Sequence, residues 1–169
     1  MAVKTEVLVL FDPKDRVFLQ ELKHHLFPLE REGLITVWDE DQIVGGTNRR
    51  QEINHHLQSA PMVLWLVSAN FMASESYDLA IQALAKHIPP EGYIIPVLLH
   101  EVDWEHSDFG QLAPLPANGM PISSWSNRNA AYVNVVKGIR EILAAHNQSQ
   151  TQDQFSQPPS AKQNSQVQV

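Results

Sequence analysis

Carboxylates, imidazoles and paired glycines are the groups in this chain that could do chemistry, and their spacing limits what that chemistry can be. Glu21/His24 and Glu52/His55 each keep a Glu-x-x-His spacing, the one used by di-metal helix bundles. Such a centre needs four helices and further inward carboxylates, so two solvated helix faces are the better account and no metal is expected. Gly45-Gly46 suggests a phosphate cradle. Neither Gly-x-x-x-x-Gly-Lys-Ser/Thr nor Gly-x-Gly-x-x-Gly is present, however, and a flexible contact loop fits better. Phe11-Asp12 and Trp38-Asp39 each close an apolar run, at the strand ends where open α/β sheets bind their ligands. Phe11 also reads as core, and Asp12 more readily as a helix cap. For Trp38 two readings stand open, stacking on a heterocycle or packing in the core. No serine carries a nucleophile-elbow motif. The absence of cysteine excludes disulfides, thiolate metal sites and a thiol nucleophile.

The elements that must position these residues alternate. Val7 to Phe11 is an apolar run suited to a buried strand. Asp12-Pro13 then starts a helix, with Phe18, Leu22, Leu26 and Leu29 as its buried stripe and Pro28 and Gly33 as stop signals. Leu34 to Trp38 reads as a second strand, Gln42 to Asn48 as a loop, and Arg49 to Ser59 as a helix with Ile53 and Leu57 inward. Met62 to Val67 is long enough for a fully buried third strand. A helix follows from about Ser76, and Tyr77, Ile81, Leu84 and Ile88 at helical spacing predict the face that packs on the sheet.

Pro89-Pro90-Glu91-Gly92 reads as a turn, and Tyr93 to Leu99 as a fourth strand. Pro96 within it cannot donate to a ladder, which places the strand at an edge or a bulge. His100 to Gly119 is irregular, Pro121 to Ser124 reads as a short fifth strand, and Asn129 to His146 as a last helix carrying Tyr132, Val136, Ile139 and Leu143 inward. Residues 147–169 are rich in Gln and Ser and predict a disordered tail or a linker to a further domain. The expected architecture is α/β and flavodoxin-like: a five-stranded, mostly parallel sheet with helices on both faces, over residues 1–146.

A net charge of −7 argues against nucleic acid or an anionic membrane as the main partner. The apolar stretch near Val7 to Phe11 is too short for a signal peptide, and no run approaches membrane-spanning length. A cytoplasmic location is the expectation.

Taken together, VLVLFDPKDRVFLQEL, LEREGLITVWDEDQIVGG, LWLVSANFMAS, YIIPVLLHEVDW and PISSWSNRNAAY resemble, in order and spacing, the Toll/interleukin-1 receptor (TIR) domain in its bacterial form. The resemblance covers about Val7 to Ala145. It implies a doubly wound sheet and association with other TIR domains, as a homo-oligomer or filament, through the loop of Ile43, Val44, Gly45, Gly46 and Arg49. In many bacterial members it also implies cleavage of NAD+ at the nicotinamide–ribose bond in defence against phage, with NAD+ as substrate and no cofactor. The substrate-binding positions it implies are Phe11, Asp12, Trp38, Asp39, Ser74 and Tyr77.

One position departs from the family. Its catalytic glutamate stands three residues beyond a Cys, Tyr or similar residue, before an apolar one. Tyr77-Asp78-Leu79-Ala80-Ile81 fits that frame with Ala80 in the glutamate's place. Breaking a glycosidic bond to ribose builds oxocarbenium character, which a nearby carboxylate stabilises and a methyl group does not. The expected loss is on the order of 10²–10⁴-fold or more, so the chain is expected not to turn over NAD+. A natural binding-only domain and a deliberate replacement both fit, alanine being the usual choice for a knockout. Glu75, one turn earlier, suits a helix start better than it suits rescue. Two other readings stay open: a signalling adaptor that only recruits TIR domains, and, less well supported, a phospho-receiver. The receiver would want an Asp where Ser68 ends the third strand.

Overall fold

Four runs become strands, and the two central ones are largely apolar on both faces, as a covered parallel sheet requires. The computed structural model describes residues 3–86, 88 and 91–155. Its strands are β1 (Thr5–Leu10), β2 (Ile35–Asp39), β3 (Met62–Val67) and β4 (Tyr93–Leu98), all parallel, in the order β2-β1-β3-β4. Five helices join them: α1 (Arg16–Arg31), α2 (Arg49–Ser59), α3 (Ala69–Met72), α4 (Glu75–Ala85) and α5 (Arg128–Phe155).

Strand side chains alternate between two buried clusters. Val7, Val9 and Leu64 meet Leu19, Leu22 and Leu26 of α1 and Tyr132, Val135 and Ile139 of α5. Leu8, Leu10, Val63 and Trp65 lie on the other face, with Ile53 and Leu57 of α2 and Leu79, Ala80 and Ala83 of α4. The fold is the expected doubly wound α/β arrangement. From β1 the chain passes out to β2 and then returns across β1 to β3. The order therefore reverses between β1 and β3, and their carboxyl ends form the topological switch point.

Local chemistry explains the boundaries. Asp12 caps a 3-10 turn (Pro13–Asp15) by accepting from Lys14 N–H at 2.9 Å, and α1 continues from it. At the other end of α1, Gly33 has φ +77°. Gly33 N–H donates to the Glu30 carbonyl and Leu34 N–H to the Leu29 carbonyl, a Schellman pair. Pro28 lies inside the helix rather than ending it.

Three expectations are corrected. The sheet has four strands, because Ile122–Ser124 is a 3-10 turn tied to the sheet by Ser123 N–H donating to the Leu99 carbonyl. The face of α4 that is fully buried is Ser76, Leu79, Ala80 and Ala83, while Tyr77, Ile81, Leu84 and Ile88 flank it half-buried. Small residues let the helix approach the sheet closely, and the bulky ones fill its margins. Finally, α5 does not stop near His146 but runs on to Phe155, so 147–155 are helical. The rest of the expected tail, 156–169, lies outside the described residues, as do Pro89 and Pro90 of the expected turn.

Candidate functional site

All strands point the same way, so the site positions at strand ends share the carboxyl edge of the sheet, while Ala80 lies further along α4 against the sheet's face. Phe11 and Asp12 follow β1, Trp38 and Asp39 end β2, and Ser74, Tyr77 and Ala80 follow β3. The sheet thus gathers the strand-end positions along one edge. It does not leave them equally open.

Phe11 is core, 1% exposed, with the Arg16 guanidinium 5.8 Å from its ring centre. Asp12 is the cap described above. Asp39 is fully buried and fully used: Lys23 Nζ donates to Oδ2 at 2.9 Å and Asp41 N–H to Oδ1 at 3.0 Å. Trp38 is half-buried, and one face of its indole is stacked on His56, with ring centres 3.7 Å apart and planes at 21°. His56 is held in turn by Glu6 through Nδ1. Ser74 caps α4, accepting from Tyr77 N–H at 3.3 Å and donating its hydroxyl to the Phe71 carbonyl at 2.6 Å. Tyr77 presents its ring edge-on to Phe71 and Phe109. Burial, with Asp108 and Asp78 nearby, pushes its phenol pKa upward.

Ala80 has no exposed surface and belongs to the apolar cluster beneath α4. Glu75 is half-exposed and engaged by Arg49 at 3.3 Å and Arg50 at 3.5 Å.

The loop after β2 combines openness with anchoring. Val44 is 71% exposed, and a Cβ at Gly45 or Gly46 would meet nothing within 4 Å. Gly46 has φ +89°, a conformation that side chains with a Cβ rarely adopt. Ile43 packs against the second cluster, so the loop is pinned at its base and free at its tip. Arg49, at the start of α2, bonds Glu40 through Nε at 2.8 Å as well as Glu75.

A buried polar group at the switch point escaped the sequence reading. Asp15 is 3% exposed and Ser68 1%. Ser68 Oγ donates to Asp15 Oδ2 while accepting from Phe71 N–H at 3.0 Å, and Asn70 Nδ2 donates to Asp15 Oδ1 at 3.3 Å. The available signal was a second Asp in the turn after β1 and a Ser at the first position after β3. Among the described residues no group of three or more His, Asp or Glu gathers as metal ligands would, and no helix is long and apolar enough to cross a membrane.

The family model described as TIR domain matches residues 7–132. An uncharacterised protein of Sinorhizobium fredii is 34% identical over 137 residues, covering 80% of this chain and 42% of the relative. The chain therefore spans less than half the length of that relative.

Proposed function

The chain belongs to the TIR domain family, and from that membership we propose a signalling module of the bacterial NAD-cleaving type that has lost hydrolysis at residue 80 and works by association with other TIR domains. Signalling or immunity in general is the family's role. One observation supports the finer reading: Ala80, which fits the frame of the family's glutamate, has no solvent exposure and is set among apolar side chains. Oxocarbenium character at the ribose would find no anion there. Three acids near the carboxyl ends of the strands are engaged by other groups, Asp39 by Lys23, Asp15 by Ser68 and Asn70, and Glu75 by Arg49 and Arg50.

The test is Ala80→Glu, with Ala80→Gln as an uncharged control of similar size, followed by nicotinamide release from NAD+. The parent chain is expected to be silent and the Glu variant to gain at least about 10²-fold. A folded, assembled Glu variant as inert as its parent would remove the enzymatic lineage. Turnover by the parent itself would remove the loss at residue 80.

The exposed Val44 and the open Gly45-Gly46 tip favour a second reading, an adaptor that recruits TIR domains and never binds the dinucleotide. Calorimetry with NAD+ separates the two, since the adaptor gives no binding heat.

A further inference from the structure

Trp65 sits in the middle of β3, has no exposed surface, and its indole Nε1–H finds no acceptor among the described residues. A buried donor without a partner is uncommon, because it forfeits its hydrogen bond to water and gains nothing in return. The rings around it form a closed circuit. Trp65 meets Phe109 at 5.3 Å between centres, Phe109 meets Tyr77 at 6.2 Å, Tyr77 meets Phe71 at 6.0 Å, and Phe71 returns to Trp65 at 6.4 Å.

Phe109 is the odd member of this circuit. It is fully buried, yet it is carried by an irregular segment whose Glu105, His106, Asp108 and Gln111 are exposed. Among the described residues, every hydrogen bond made by 102–112 stays inside that segment. Trp104 N–H reaches Val102, Ser107 reaches Trp104, Gly110 reaches Ser107, Leu112 reaches Phe109, and His106 pairs with Asp103. The rest of the molecule holds the segment through the side chains of Val102, Trp104, Phe109 and Leu112.

The flanks, by contrast, are fixed to the sheet. Leu99 N–H donates to the Val67 carbonyl at 2.9 Å, and Leu115 N–H to the Pro96 carbonyl at 2.8 Å. A self-bonded segment between two fixed ends can swing out without breaking a hydrogen bond to the body.

We propose that residues 102–112 form a lid whose Phe109 ring fills a binding site for a flat, uncharged heterocycle bearing a hydrogen-bond acceptor. On binding, the heterocycle takes the place of the Phe109 ring between Trp65 and Tyr77, and its acceptor receives the Trp65 indole hydrogen. The aromatic circuit selects a planar ring, and the orphaned N–H selects an acceptor at its edge. Exposed Asp103, Glu105 and Asp108 on the lid disfavour anionic ligands. Nothing in this assignment depends on what residue 80 does.

The experiment follows the indole 15N–1H resonance of Trp65, assigned by its loss in Trp65→Phe. In the unmodified chain this hydrogen is expected to exchange with solvent at least about tenfold faster than the backbone amides of Val63 to Leu66, since lid opening is a smaller event than breaking the sheet. Caffeine, a neutral planar probe with acceptors and no donor, is expected to shift the resonance and slow its exchange, and Phe109→Ala to tighten that binding at least about tenfold. Exchange as slow as the β3 amides overturns the lid. A freely exchanging indole that caffeine leaves unshifted overturns the binding site. Both readings come from the unmodified chain, so the outcome stands even if Phe109→Ala does not fold.

Discussion

The hydroxyl of Ser68, the first residue after β3, donates to the buried carboxylate of Asp15, which stands 53 positions earlier beyond the end of β1. This bond spans the switch point of the sheet and fixes the start of α1 against the start of α3. Replacing Asp15 by Ala leaves the Ser68 hydroxyl and the Asn70 amide without their acceptor in a nearly closed space. The expected cost is about 1–3 kcal/mol in urea unfolding. Asp15→Asn, which keeps one acceptor oxygen, is expected to lose less. A loss within 0.5 kcal/mol of zero for the Ala variant, roughly the scatter of surface substitutions, contradicts the role given to this bond.

Arg16 grips Asp41 with two donors, Nε to Oδ2 at 3.0 Å and Nη2 to Oδ1 at 2.8 Å. That hydrogen-bonded contact holds the Asp41 carboxyl below its usual range, partial burial opposes the shift, and the charges of Arg16 and Lys23 add to it. A carboxyl with a depressed folded pKa contributes stability that is complete above its unfolded value and fades as pH falls through the folded one. Asp41→Asn is therefore expected to be less stable than the parent at pH 7 and to converge with it below about pH 4. Urea midpoints measured from pH 7 down to pH 2 test this, and a gap that widens on acidification would refute it. Because the pair is largely exposed, the gap is expected to shrink in high salt as well.

Two glycines offer a contrast in how rigidly a neighbour is held. A Cβ at Gly110 would lie 2.0 Å from the backbone oxygen of Glu105, inside the lid's own turn. At Gly138 in α5 it would lie 2.5 Å and 2.9 Å from the two methyl carbons of Leu115 and 3.3 Å from its Cγ, a buried side chain that has to shift as a whole. Gly110→Ala is expected to cost about 1–3 kcal/mol through overpacking. At Gly138 the gain in helix propensity, about 0.5–1 kcal/mol, offsets part of the strain, so Gly138→Ala is expected to cost less than Gly110→Ala. Thermal unfolding of both variants gives the comparison, and equal losses would contradict it.

What the sequence disclosed depended on whether the deciding contacts were local. Arg49–Ser59 and Met62–Val67 were legible to the residue, because an uninterrupted apolar run between Pro61 and Ser68 has one stable outcome. The face of α4 was misjudged because hydrophobicity alone ranks Tyr77, Ile81 and Leu84 above Ser76, Ala80 and Ala83. Close approach to a sheet favours the smaller set. Polar composition hid the extension of α5. Once nucleated, a helix adds residues without needing a packing partner, and Pro158 is the first proline after it. Of the candidate site, the strand-end positions were legible from topology. The partners that occupy Asp39, Trp38 and Arg49 were not, because Lys23, His56 and Glu75 reach them only through the fold.

Pro96 also governs how this molecule can meet another. In a strand the N–H and C=O of one residue point to the same side, and the Pro96 carbonyl faces away from β3 to accept from Leu115. The missing hydrogen is therefore missing on the outer rim, where Leu115 also takes up the neighbouring Leu98 N–H. That rim has neither a free run of donors nor an open lane for a visiting strand, which is how natural sheets avoid runaway stacking. A second copy approaching from this flank finds no continuous ladder at Pro96 and Leu98, so recognition there falls to side chains.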